Sequence, residues 1–429
     1  MVGGKGWRRI IGFLRVGATH RAAIRAQTPA PTATRIVPPR RSGAKRPWQQ
    51  PGWRWAIAIV LLITLGSCSL PQVSAEDRLF LDLQVDLLDV TTLPRQTFAD
   101  TQVGGLSALA YDRQRQVFYA LSDDRGNLAP PRVYTLDLSW QVDGDSTVTL
   151  APPQITDVTL LRDQTGEPYP ANVLDPEGLV LSPRDSWFIT SEGVADTDSP
   201  PQLNEYDRAS GTLRTRFRLP DRFLPDPEAE SPQGVRNNLG LEGLTLNPTA
   251  ATGEFEPFRL FTVTESALAQ DFNEDPATPL VSRFLHYLIG PNQSTLISEH
   301  AYPLALEPFG AVVTGVSELL CLDQGGHFLA LERAFGLRGF EVKLWQLATG
   351  GATDTSTIPQ LTPLSNTLRP IQKQLLLDFN ALGQPVDNLE AIALGPPLPD
   401  DSQSLWVLSD DNFSEEQTTQ LWLFSLQGA

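Results

Sequence analysis

Lysine is nearly missing from most of this chain. Beyond residue 75 only Lys343 and Lys373 occur, Met1 is the sole methionine, and the 429 residues hold two cysteines and four histidines. Each shortage removes a class of function. Cys68 and Cys321 cannot form a disulfide framework or a cysteine zinc site, and Cys321 in "SELLCLD" reads as a buried strand residue. His286, His300 and His327 are not paired at metal-ligand spacing, and each reads as a strand or turn residue. No G-x-S-x-G elbow supports an α/β-hydrolase type of esterase, and the Gly pairs at 104, 325 and 350 are turns rather than phosphate loops.

Acids are missing only from the beginning. Residues 1–75 contain 12 Lys and Arg and no Asp or Glu; because the whole chain carries −17, residues 76–429 carry −29. A body of that charge repels nucleic-acid phosphates and attracts cations, so no nucleic-acid partner is expected. In "RWAIAIVLLITLGSCSL" (54–70) the apolar run from Ala56 to Leu65 covers ten residues, about half of the ~20 that a spanning helix needs. It reads as the core of a signal segment (51–68). "LGSC" resembles a bacterial lipoprotein signal, which implies cleavage before Cys68 and a lipid on that cysteine; an ordinary secretion signal and an uncleaved short anchor are the alternatives. The expected location is therefore outside the cytoplasm, as a periplasmic or cell-envelope lipoprotein. Residues 1–50, rich in Arg, Pro, Ala and Thr, read as a disordered basic extension or as sequence upstream of the true start.

What is abundant is a repeat. "GGLSALAYDRQRQVFYALSDDRG", "DPEGLVLSPRDSWFITSEG", "LGLEGLTLNP", "TGVSELLCLD" and "VDNLEAIALG" align at Ser107, Glu177, Glu242, Glu318 and Glu390, at intervals of 70, 65, 76 and 72 residues. Each unit starts with a hairpin and continues with two strand-like runs, such as "RVYTLDL" (132–138) and "STVTLAPPQITDVTL" (146–160), with no helical periodicity. Four strands per unit predict an all-β fold, a single β-propeller over 76–428 with five blades, or six if a long connection hides a degenerate one. The last unit has three strands, and "LFLDLQVDLLDV" (79–90) is expected to supply its fourth and close the ring.

In such a ring the start of each inner strand and the end of the next strand share one face. The hairpin-end residues are Asp123, Glu192, Glu265, Glu332 and Asp410, so nine carboxylates are expected at one mouth, with Ser107 as the exception. Like charges at that density raise one another's pKa or demand cations, and hard oxygen donors suit calcium. A repeated acid can equally accept backbone N–H bonds at every hairpin base, a purely structural role. Arg125 and Arg333 follow acids and read either as phosphate ligands or as ion-pair partners.

"DPEGL", "GLEGL", "SEL" followed by "ALER", and above all "DNLEAIALGPPLPDDSQSLWVLSDDNF" resemble the phytase-like domain of proteins described as having esterase-like activity of phytase, over residues 76–428. The match places the family's motif residues on Asp123, Glu177, Glu192, Glu242, Glu318, Glu332, Arg333, Glu390, Asp410, Asp411 and Asn412. It implies an exported, metal-dependent phosphoesterase or esterase, a monomer acting on a small-molecule phosphate ester or other ester. Its catalytic residues would be Glu177, Glu242, Glu390, Arg125 and Arg333, and its calcium ligands the motif acids with Glu265 and Asn412. The alternative function is a non-catalytic, lipid-anchored propeller that binds a ligand or an envelope partner.

Overall fold

Five four-stranded antiparallel sheets stand around a common axis in a computed structural model of the chain. It describes residues 79–428 apart from 145–146, 195–196, 198, 227, 249–255, 276–277, 292, 306–310 and 362–363, so Cys68 and the segments 1–50 and 51–68 lie outside the described residues. From the axis outwards, the first blade is Leu106–Asp112, Val117–Ser122, Arg132–Asp137 and Gln154–Leu160. The second is Pro176–Leu181, Ser186–Ser191, Gln202–Asp207 and Leu213–Phe217. The third is Leu241–Leu246, Phe258–Thr264, Val281–Ile289 and Ser294–Pro303, and the fourth Ala311–Cys321, His327–Gly336, Gly339–Ala348 and Gln372–Asp378. In the fifth, Asn388–Pro397, Gln403–Asp410 and Thr419–Gln427 are completed by Gln84–Leu93, which pairs antiparallel with the last strand from Gln84 opposite Gln427 to Leu93 opposite Thr419. The ring is therefore a five-bladed propeller closed by its N-terminal strand.

Why these runs are so continuously apolar follows from the packing. Each sheet is covered on both faces by a neighbouring blade, so alternate side chains enter different cores. Phe118 packs towards Trp406 of the last blade, while Tyr119 beside it packs against Trp187 of the second. Five buried clusters result, one in each gap between adjacent blades.

The long connection 349–371 is not a sixth blade. It crosses back onto the third blade, where Leu361 packs on Val281 and Ala301. Arg283, fully buried, grips it through the carbonyls of Ile358 and Pro359 while pairing with Asp271 at 2.6 Å and Glu299 at 2.5 Å. The expected single strand over 146–160 is divided: Val148–Leu150 pairs with Trp140–Val142, and the blade strand begins only at Gln154. Pro152 and Pro153 explain the break, because neither can donate to a ladder.

Candidate functional site: an acidic mouth with one arginine in its ring

Every inner strand carries a β-bulge, and the bulges fix what faces the axis. In the first blade the register slips between Leu106 and Ala108, in the fourth between Val316 and Glu318, and in the fifth between Leu389 and Ala391. The equivalent bulge residues are therefore Ser107, Glu177, Glu242, Ser317 and Glu390. Glu318 stands one position further on, where the second and third blades have Gly178 and Gly243. A Cβ at Gly178 would lie 2.4 Å from the carbonyl oxygen of Glu242, and one at Gly243 would lie 2.8 Å from the nitrogen of Leu319. The glycines of "DPEGL" and "GLEGL" thus let neighbouring inner strands approach. Glu318 turns away from the mouth and accepts hydrogen bonds from the N–H groups of Leu244 and Leu319 at 2.8 and 2.9 Å.

The hairpin ends correct the expectation in the same way. Ser122, Ser191, Thr264, Glu332 and Ser409 are equivalent in register, so the next residues, Asp123, Glu192, Glu265, Arg333 and Asp410, form the set that reaches the axis. Glu332 faces the opposite way, accepting from Tyr302 Oη at 2.5 Å and pairing with Lys373. Seven carboxylates rather than nine converge, with Ser107, Ser317 and Arg333 in the other three places. Ser107 and Ser317 each donate to the backbone of the next inner strand.

Arg333 is the counter-ion of this ring. Its guanidinium lies 2.8 Å from Glu390, 3.2 Å from Glu265 and 4.0 Å from Glu242, and it also donates to Asn388. Burial disfavours its charge, but Glu390, Glu265 and Glu242 more than compensate and hold it protonated. Arg125 lies at the rim, bound through Nε to Asp175 at 2.7 Å and also to Asn238. The mouth is a cavity of about 370 Å³ whose lining includes Asp123, Arg125, Asp175, Glu177, Glu192, Glu242, Arg333, Glu390 and Asn412.

One guanidinium within the ring does not neutralise seven carboxylates. Burial first, and mutual repulsion next, push Asp123, Glu177, Glu192, Glu242 and Asp410 well above the ordinary carboxylate range. Burial also raises Glu390 and takes Glu265 to about 7, although Arg333 pulls both down. Carboxylate oxygens of Asp175, Glu177 and Glu192 lie within 4.8 Å of one another, as do those of Glu192, Glu242 and Glu265. Two three-oxygen groups sharing Glu192 fit a hard divalent cation in the character of their donors.

Other expected residues have local duties. Asp411 accepts from the N–H of Gly105 at 2.9 Å, tying the last blade to the first, and Asp410 accepts from the N–H of Asn412 at 2.9 Å. Asp175 and Asn388 were not singled out by the repeat, although Asp175 opens "DPEGL" and Asn388 stands two residues before Glu390. The repeat pointed to acids that recur in every blade, and each of these two belongs to one blade.

The family model described as "Phytase-like: Esterase-like activity of phytase" matches residues 101–413. No curated protein matches the chain. Among solved structures, an endo-arabinase from Bacteroides thetaiotaomicron is 9% identical, with 75% of this chain and 94% of that one covered and a TM-score of 0.40. The catalytic domain of a GH62 α-L-arabinofuranosidase from Coprinopsis cinerea is 10% identical over 81% and 98%, with a TM-score of 0.38. A hypothetical protein from Leishmania major is 10% identical over 80% and 90%, with a TM-score of 0.36. With the family model spanning all five inner hairpins, from Thr101 to Phe413, the chain belongs to the phytase-like family of esterase-like proteins.

Proposed function

We propose that this protein is an exported, calcium-dependent phosphoesterase or esterase that works at the acidic mouth. Family membership and the propeller fold support a hydrolase or esterase type of function on a small-molecule ester or phosphate. The observation that carries the metal requirement is the pair of three-carboxylate groups joined by Glu192. Asp175, Glu177, Glu192, Glu242 and Glu265 would hold the ion. A divalent cation held there would supply Lewis-acid polarisation of an ester oxygen and positive charge for an anionic substrate.

The chain's own groups do the rest. Arg125, partly exposed and held by Asp175, steadies a substrate oxygen at the rim. Arg333 keeps Glu390 and Glu242 oriented from below. Glu177 retains partial exposure and is the carboxylate placed to orient water for attack. In the hydrolysis, the water oxygen bonds to phosphorus or carbonyl carbon, the ester bond to the alcohol oxygen breaks, and that oxygen leaves with a proton.

The protein would act as a lipid-anchored monomer in the cell envelope, because the signal ending at Cys68 precedes the propeller. Mass analysis of membrane-bound protein should find an N-terminus at a lipidated Cys68, absent in Cys68→Ala; an intact 1–50 segment would refute this. For activity, release of phosphate or acid from an ester panel should require calcium and fall at least about 100-fold in Glu177→Gln. Calcium binding without turnover of any ester would favour the non-catalytic binding propeller.

A further inference from the structure

Beside the acidic mouth lies a second cavity of different character, about 450 Å³, with Glu192 and the segment Arg236–Asn237 in its wall. Glu192 lines both cavities, so the two adjoin at that residue. Pro200, Pro225, Pro232, Val235 and Ala269 make the second one mainly apolar. Three prolines give it stiff walls.

Its walls are tied in place by backbone geometry. Gly193 has φ +90°, and a Cβ there would lie 2.7 Å from the carbonyl oxygen of Ser199. Gly234 has φ +93°, and a Cβ there would lie 2.4 Å from the nitrogen of Pro225. The N–H of Val235 donates to Phe223 at 3.0 Å, that of Ala269 to Gly234 at 2.8 Å, and Gln270 bridges Gly234 and Arg222 at 3.0 Å each. Arg236 is engaged elsewhere: Nε donates to the carbonyl of Ala267 at 3.0 Å, Nη2 to Ser266 at 3.1 Å, and the guanidinium lies 4.3 Å from the centre of the Phe272 ring. Glu192 and Asp226 also line the pocket.

We infer that this cavity is the subsite for the organic half of the substrate, and that it takes an apolar alcohol moiety while the ester group sits in the mouth. The inference rests on the hydrolase reading for the word substrate, but not for binding. Volume and lining match a small-molecule pocket, typically a few hundred Å³ with predominantly apolar walls. A polyphosphorylated alcohol is disfavoured, since its additional phosphates would meet Asp226 and mainly apolar walls, while the guanidinium of Arg236 is already bonded to Ala267 and Ser266.

The test compares binding of 1-naphthyl phosphate and methyl phosphate to the full chain with calcium, by naphthyl fluorescence and by competition. Burial of the ring system should favour the naphthyl ester by about 30-fold or more. Ala269→Phe, which fills the cavity, and Pro232→Asp, which places a carboxylate on its wall, should each bring that ratio down towards one. Equal affinity for the two esters, binding of neither, or a preference retained in both variants would overturn the subsite. If the preference is present and lost in the variants while no ester is turned over, the subsite stands and the hydrolase reading falls. If both esters are hydrolysed with equal efficiency and bound equally, the reverse holds.

Discussion

Replacing Glu265 by Gln should change how stability depends on pH, with a sign fixed by the structure. Burial takes the Glu265 carboxyl to about 7 in the folded protein, against 4.5 for an ordinary glutamate. Between those values it is protonated when folded and ionised when unfolded, so the folded state binds more protons and loses stability as pH rises. The displacement of about 2.5 units corresponds to roughly 3 kcal/mol at 1.36 kcal/mol per unit. His286 opposes this over much of the same range, because burial holds it near 4 against 6.5 and its contribution grows as pH rises. The difference between wild type and Glu265→Gln cancels the histidine, which both proteins share. In excess chelator, Glu265→Gln should therefore gain about 2.4 kcal/mol on wild type between about pH 5 and pH 7.5, or roughly 3 °C in a chain of this size. Differential scanning fluorimetry at both pH values measures it. A difference between the two proteins that stays constant, or moves the other way, would refute the description of the mouth as a store of buried, mutually repelling carboxyl groups.

Three further outcomes are expected. Calcium at a hundredfold excess over its Kd should stabilise wild type by about 2.7 kcal/mol, and Glu192→Gln should abolish most of that increment because Glu192 belongs to both three-carboxylate groups; an unchanged increment in calorimetry would contradict the shared position. Glu332→Ala, which strands half-buried Lys373 and the buried hydroxyl of Tyr302, should cost roughly 2–4 kcal/mol equally with and without calcium, and a calcium-dependent cost in denaturant titrations would return Glu332 to the mouth. Gly178→Ala should cost about 2–3 kcal/mol by forcing a methyl against the inner strand of the next blade, so an unshifted urea midpoint would show that the strands have room to part.

The period of the repeat was enough to read five blades and the closing strand from the sequence, since each blade must bury both faces and so repeats its apolar runs. The mouth was legible in four blades and misread in the fourth in chain order. In "TGVSELLCLD" the serine and the glutamate are adjacent, and an acid at the expected place drew the alignment one residue too far. Nothing in the composition of that segment marks which residue enters the bulge; the slip between Val316 and Glu318 is settled by pairing with the neighbouring strand. The same one-residue slip exchanged Glu332 for Arg333, because successive side chains in a strand point to opposite faces. The apolar subsite left no periodic signal at all, since its prolines come from irregular connections rather than from the repeat.

The strand Gln84–Leu93 makes the two ends of the propeller one sheet, and this sets an order of assembly. More than 300 residues separate partners such as Val85 and Leu426, so the closing ladder is among the most non-local contacts in the chain and carries a large loop-closure cost. A chain emerging from its N-terminus presents this strand before the strands of every blade and the one it pairs with, Thr419–Gln427, after them. Until Thr419–Gln427 arrives, the last blade lacks a core layer and leaves unpaired strand edges at both sides of an open ring. Closure therefore comes late, and a nascent molecule has an unprotected edge for as long as synthesis keeps these two strands apart.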